Sequence, residues 1–142
     1  MKITATDTFS IHMEAGFSVA DITGKISDFV EKSGFEEGTV NIFAKGSTAS
    51  VTTTEYEPGT VKDIRQLFQQ LAPEGKNYEH HKTWDDGNGH SHLQASVLGP
   101  SITIPVQNGK ILTGTWQQVI LINHDVRERK RTVILTAIGN FY

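Results

Sequence analysis

Residues 101–123 read SITIPVQNGKILTGTWQQVILIN, and this stretch decides the class of fold. Residues 101–106 carry apolar side chains at alternate positions, as a strand with one buried face does. Asn108-Gly109 is a dipeptide whose backbone takes the positive φ angles of a type I′ hairpin turn at little cost. Residues 111–113 lead back from that turn, Gly114 breaks the run, and residues 116–123 form a further apolar, β-branched stretch. Residues 131–138, RTVILTAI, form another. Pro105 has no N–H to give a ladder, so its strand belongs at an edge or a bulge. Strands joined by tight turns, rather than separated by helices, predict antiparallel pairing.

Outward from this core the period changes. From Asp21, Ile22, Ile26, Phe29 and Val30 fall at helical spacing and Gly34 follows as a stop. Residues 39–45 and 49–55, separated by Gly46-Ser47, read as a paired hairpin. After Pro58-Gly59, a capping box of Thr60 with Asp63 precedes Val61, Ile64, Leu67, Phe68 and Leu71, a second helix that ends by Pro73. Residues 74–89 are polar and read as a long loop, the kind that often carries function. Ser91-His92-Leu93-Gln94 matches a second capping box and opens a short third helix, with a strand as the competing reading, before Gly99-Pro100. Ile3, Ala5 and Ile11 mark a half-buried first strand. The expectation is one compact α+β domain over residues 1–142, with a sandwich-like, mainly antiparallel β core and two to three helices.

The chain has 142 residues, 13 Lys and Arg against 16 Asp and Glu, a net charge of −3 and no cysteine. Zero cysteine removes disulfide scaffolds, thiolate metal sites and a cysteine nucleophile. A mildly acidic chain without a basic stripe predicts no nucleic-acid partner and no membrane surface. The N-terminus lacks an apolar signal region and no run reaches the roughly 18 apolar residues of a membrane span, which predicts a cytoplasmic protein. Six histidines are the one compositional hint of chemistry.

Four of them, His80, His81, His90 and His92, enclose Trp84-Asp85-Asp86-Gly87-Asn88-Gly89. Imidazoles beside carboxylates are the N and O donors that suit Zn²⁺. Adjacent His80 and His81 point to opposite sides of an extended chain, so one of them faces any common centre. His92, at the start of the third helix, lies beside backbone N–H groups that favour an anion. Asp86-Gly87-Asn88-Gly89 fails the calcium-loop pattern and reads as a tight turn. The small hydroxyl residues after Gly46, Ser47 and Thr48, suit a phosphate without making a P-loop. Glu55 is a candidate base or metal ligand, or a solvated carboxylate at a strand end. Of Trp116 and Gln117, alternation puts one inside, and Trp116 is the expected core residue. The cluster Arg127, Arg129, Lys130 and Arg131 offers guanidinium forks for phosphate, or a solvated hairpin rim. His12 and His124 lie outside the cluster and read as structural or solvated; His81 and His90 read as supports of the other two. No Ser-His-Asp order and no dinucleotide fingerprint occurs.

Taken in order, Gly46-Ser47-Thr48-Ala49, Glu55-Tyr56-Glu57-Pro58-Gly59, Tyr78 with His80, the run from Asp86 to Leu93, Leu98-Gly99-Pro100-Ser101, Pro105-Val106 and Gly114-Thr115-Trp116-Gln117-Gln118 resemble the YjbQ family, UPF0047. The resemblance implies an α+β fold with an antiparallel core, assembled as a homotrimer with sites near subunit boundaries. It also implies a secondary thiamine-phosphate synthase activity, which joins a pyrimidine diphosphate to a thiazole phosphate and releases pyrophosphate, the physiological role being open. Carried over by position, the family's polar site falls on His80, Asp86, His92 and Glu55 for catalysis. Ser47, Thr48, Asn88, Gln117 and Arg131 would hold the phosphorylated ligand, and a divalent metal, Zn²⁺ or Mg²⁺, would sit at His80 and His92. Some relatives carry His where this chain has Gly46. The alternatives are a trimeric metal- or metabolite-binding protein without catalysis of its own, and a metal-dependent hydrolase.

Overall fold

The computed structural model describes residues 2–142. Two antiparallel sheets carry the architecture. In the larger, β1 (Thr4–Met13) pairs with β8 (Arg129–Phe141), β8 with β3 (Phe35–Ala44), β3 with β5 (Ser101–Gln107), and β5 with the short β6 (Lys110–Ile111). In the smaller, β7 (Gln118–Asn123) lies between β2 (Ser18–Asp21) and β4 (Ala49–Thr54). The α+β sandwich expected from the pattern is what forms.

Period-two alternation decides which side chains meet. Val133, Leu135 and Ala137 of β8 and Val40, Ile42 and Ala44 of β3 face inward and pack on Ala49, Val51, Val119 and Leu121 of the smaller sheet. Helix α1 (Thr23–Ser33) adds Ile26, Phe29 and Val30 to this core and ends, as expected, on Gly34 at φ 70°. The second face of β7 is buried too, because Ile120 and Ile122 are 0% exposed. Helix α2 (Pro58–Leu71) covers it with Phe68, and α4 (Gly89–Leu98) lies along β4. Ser101–Gln107 turns back through Asn108 at φ 52° and Gly109 at φ 71°, the positive-φ pair expected there.

Five local expectations are corrected. Residues 39–45 and 49–55 are strands but not a hairpin: β3 stays in the larger sheet and β4 crosses into the smaller. Ala49, Ser50 and Val51 are all buried, and a strand buried on both faces needs a sheet covered on both sides, which only the smaller sheet provides. Helix α2 is capped by Glu57 rather than Thr60: its carboxylate accepts from the Gly59 and Thr60 amides and from the Thr60 hydroxyl, and these bonds hold its pKa below the usual carboxylate value. The long loop contains one helical turn, α3 (His80–Thr83), a fourth helix. Ser91 and Gln94 do not cap α4; both are buried and turn to other partners described below. Trp116 is 72% exposed rather than core.

One contact constrains the larger sheet. Gly38 of β3 sits opposite Gly139 of β8 at φ +143° and +151°, and a Cβ on either would strike the backbone of the other strand, at the Ile138 carbonyl or the Glu37 carbonyl. Only glycine combines that φ with that approach. Gly38→Ala is expected to lower unfolding free energy by about 3 kcal/mol, combining backbone strain with a displaced ladder, and urea unfolding measures it.

Candidate functional site

The chain reverses at one end of the sandwich, where β4 begins and β7 ends. There the β3–β4 turn, the β7–β8 turn, the first residues of β8, helix α3 and the start of α4 surround a cleft of about 400 Å³. Ser47, Thr48, His80, Asp86, Asn88, His92 and Arg131 all border it, joined by Trp84, Asp125 and Arg129.

Arg131 forms the floor. It occupies the same inward face of β8 as Val133 and Leu135, so alternation carries a guanidinium between the sheets, and it is 5% exposed. Its Nε donates to Asn123 Oδ1 at 3.1 Å, and its Nη2 to the Thr48 carbonyl at 3.1 Å and the Thr48 hydroxyl at 2.7 Å. Nη1 makes no hydrogen bond among the described residues and lies 2.7 Å from where a Cβ would stand on Gly46. Residue 46 is glycine at φ +119°, and any side chain there would push aside a guanidinium pinned at its other nitrogens. None of the ion pairs among the described residues involves Arg131. Burial draws its pKa down, Asp125 works against this and Arg129 adds to it, yet a guanidinium stays charged. The carboxylate near it, Asp125, is tied to Arg129 and reaches Arg131 only through the Thr48 hydroxyl, so the buried cation keeps charge that an anion could meet.

Beside it, Arg129 clasps Asp125, with Nε at 3.0 Å and Nη2 at 2.9 Å from Oδ2. Burial raises the Asp125 pKa, but hydrogen bonds from Arg129 and Thr48 outweigh it and hold the carboxyl below its usual value.

The opposite wall is imidazole and amide. His80 and His81 stand on α3 rather than on extended chain, and they still diverge: His80 meets Asp86 and Asn88, while His81 accepts from the Gly89 amide at 3.3 Å. His80 and His92 meet edge to face with ring centres 4.6 Å apart. The Asn88 amide nitrogen faces Asp86 Oδ1 at 2.7 Å and His80 Nε2 at 3.0 Å, the orientation a carboxylate requires because it can only accept. His80 Nε2 then accepts the Asn88 N–H. Of the N–H groups at the start of α4, the Gly89 amide goes to His81, and those of Ser91 and His92 to the Asn88 carbonyl.

Two imidazoles and a carboxylate suit Zn²⁺ by chemistry. In this structure His80, His92 and Asp86 do not bring three ligand atoms within 4.8 Å of one another; among the described residues only the exposed His12, Glu14 and Glu128 do. Two sequence candidates lie elsewhere. Glu55 follows the far end of β4, about 20 Å from Thr48 at strand rise. Gln117 bonds Thr53 and Gly114 near that same end, because Thr54 pairs with Gln118 whereas Ala49 pairs with Asn123.

Beneath the cleft lies a network that spacing alone did not reveal. His124, 1% exposed, donates from Nδ1 to Gln94 Oε1 at 3.0 Å and accepts at Nε2 from Ser50 Oγ at 2.8 Å. Gln94 Nε2 donates to the Ala72 carbonyl at 2.9 Å, Ser91 Oγ to the His124 carbonyl at 2.5 Å, and Phe17 and Phe68 meet the imidazole edge-on. Burial first, then Arg131 and His90, push the His124 pKa down to about 3. Its structural reading holds, at the centre of the support rather than outside the site. The signal for Asn123, His124 and Asp125 was the abrupt polar triplet that closes the apolar run of residues 119–122.

The family model described as UPF0047 protein YjbQ-like matches residues 7–140. A UPF0047 protein of Archaeoglobus fulgidus is 32% identical over 116 residues, 82% of this chain and 88% of that protein. One from Synechocystis is 31% identical over 144 residues, 96% of this chain and 98% of that one. Among solved structures, a hypothetical protein of Aeropyrum pernix K1 superposes with a TM-score of 0.88 at 32% identity, covering 96% of this chain and 99% of that one. A YbjQ-like protein of unknown function from Sulfolobus solfataricus P2 gives 0.86 at 30% identity, again covering 96% and 99%. The chain belongs to the YjbQ-like UPF0047 family.

Proposed function

We propose that the cleft binds a phosphorylated small molecule, and that the chain carries the secondary thiamine-phosphate synthase activity its sequence resemblance implies. The observation that supports this most is Arg131, a buried guanidinium that borders the cleft and makes no direct ion pair among the described residues. In the transfer, a thiazole nitrogen bonds to the CH₂ of the pyrimidine as the C–O bond to pyrophosphate breaks, and negative charge collects on the leaving group. Arg131 Nη1 and Arg129 meet that charge, Ser47 and Thr48 lie beside it, and the wall of His80, His92 and Trp84 bounds the space for the rings. Asn88 stands between His80 Nε2 and Asp86, where a cation bridging those two would sit, and the charge is assigned to the arginines.

The test is thiamine phosphate formed from the two substrates by the wild type and by folded His80→Ala and His92→Ala. Turnover above that of heat-inactivated protein, reduced about tenfold or more in the variants, is the expected result. Ligand binding without turnover would favour a metabolite-binding protein, and phosphate release without transfer a hydrolase.

Self-association as a homotrimer belongs to the same proposal. Leu112, 52% exposed, lines a groove with Ile102, Ile104 and Pro105, apolar surface that a second copy would cover. No helix among the described residues is long and apolar enough to cross a membrane.

A further inference from the structure

The charges that line the cleft are of both signs. Two guanidinium groups and two carboxylates border it, those of Arg129, Arg131, Asp125 and Asp86. Arg129 and Asp125 cancel, because Nε and Nη2 of the arginine both reach Asp125 Oδ2. What remains is one positive group and one negative group, Arg131 on the floor and Asp86 on the wall that follows α3. Asp86 has no fixed cation of its own. Among the described residues no lysine or arginine pairs with it, and the Asn88 amide that donates to it is neutral. Its side chain is 36% exposed, open to a molecule that enters the cleft.

Two residues earlier, Trp84 borders the same cleft with its indole 65% exposed. Among the described residues that indole pairs with no other ring and has no cation over its face. The face of an indole is the negative end of its quadrupole, so it attracts what a carboxylate attracts. A ligand whose only charge is a phosphate gains from Arg131 and is repelled by Asp86. A ligand with a phosphate at one end and a positively charged ring nitrogen at the other gains on both sides.

We propose that the cleft takes zwitterionic phosphate esters, and that Trp84 and Asp86 are the residues that select a cationic ring over a neutral one. This rests on the reading of the cleft as a phosphate site and names the class of ligand within it. In the transfer described above, the thiazole nitrogen gives its lone pair to the new bond and becomes positive, while pyrophosphate leaves with the electrons of the C–O bond. Trp84 and Asp86 would then meet the charge that forms on the ring, as the arginines meet the charge that leaves. One competing arrangement exists: a protonated His80, whose Nε2 lies 3.3 Å from Asp86 Oδ1, would supply the counter-charge from within and abolish the preference. The comparison is therefore made at pH 8, above the ordinary range of histidine.

The experiment is calorimetric titration of the full chain with nicotinamide mononucleotide, whose pyridinium ring is positive, and with its reduced form, which keeps the phosphate and sugar on a neutral ring. Potassium phosphate tests the anion site alone. The oxidised form is expected to bind about tenfold or more tightly than the reduced one. Asp86→Asn keeps the shape and removes the charge, and Trp84→Leu keeps an apolar side chain and removes the ring. In each, the ratio is expected to fall to about threefold or less. Equal binding of the two forms by the wild type overturns the proposal, as does binding of potassium phosphate without either of them, and both leave the phosphate site standing. A ratio unchanged in one variant overturns the role of the residue replaced there. Binding of none of the three overturns the reading of the site itself. Trp84 and Asp86 are both exposed, so the variants are expected to fold, and the wild-type ratio decides the matter without them.

Discussion

Arg131→Met is expected to lose phosphate-ligand affinity by about 100-fold and unfolding free energy by about 2–4 kcal/mol at once. Two causes combine because the side chain does two things. Towards the protein it donates to Asn123 Oδ1, the Thr48 carbonyl and the Thr48 hydroxyl, and methionine leaves these acceptors buried without a donor. Towards the cleft it offers Nη1, and methionine removes the buried positive charge that an anion meets. Arg131→Lys separates the two. Lysine keeps the charge but cannot serve Asn123, Thr48 and the ligand with one rigid fork, so stability should fall about as far while affinity falls less. Urea unfolding and calorimetric titration read the two quantities; a fully stable Arg131→Met that binds as tightly as the wild type would remove Arg131 from the site.

The protein is also expected to lose stability on mild acidification, before its carboxylates titrate. In the unfolded chain a histidine has a pKa near 6.5, whereas burial holds His124 at about 3 in the fold. Because the folded value is the lower one, the unfolded state takes up the proton first. The stability tied to neutral His124 is therefore complete above pH 6.5 and is lost as pH falls towards 3. At about 1.4 kcal/mol per pH unit, the step from pH 6.5 to 4.5 costs about 2–3 kcal/mol. His90, whose pKa is also lowered by burial, acts in the same direction. Asp125 and Glu57, held below the usual carboxylate value, contribute their losses only at lower pH. Urea unfolding from pH 7 to 4.5 tests this, with His124→Gln expected to start less stable and to show a flatter slope. A wild-type slope as flat as the variant's would mean that His124 is hydrated in solution.

The sequence showed the elements better than their neighbours. Alternation in residues 101–106 and 131–138, the Asn108-Gly109 turn and the spacing of Ile22, Ile26, Phe29 and Val30 are local patterns, and local physics decided them. The partner of β4 is not local. Gly46-Ser47 looked like a hairpin turn, and only the burial of both faces of β4, which requires helices far along the chain, sends it to β7. The same limit applies to the cleft. Residue type pointed to His80, His92, Asp86 and Arg131, which do meet, but Glu55 and Gln117 were separated from them by strand length, a distance that chemistry alone does not encode. Asp125 is hidden from a reading by spacing, because an acidic residue in a turn looks solvated until the strand before it is known to be central.

The two sides of the cleft stand on unlike supports. Arg131 is anchored in β8, in step with Val133 and Leu135, so its position is as fixed as the core itself. His80 and Trp84 stand on and just beyond the single turn of α3, within a long polar connection. Substitution on that side disturbs little of the fold, whereas substitution on the other disturbs most of it. The consequence is one of engineering: residues 80–86 can be altered while the sandwich, and Arg131 with it, stays as it is.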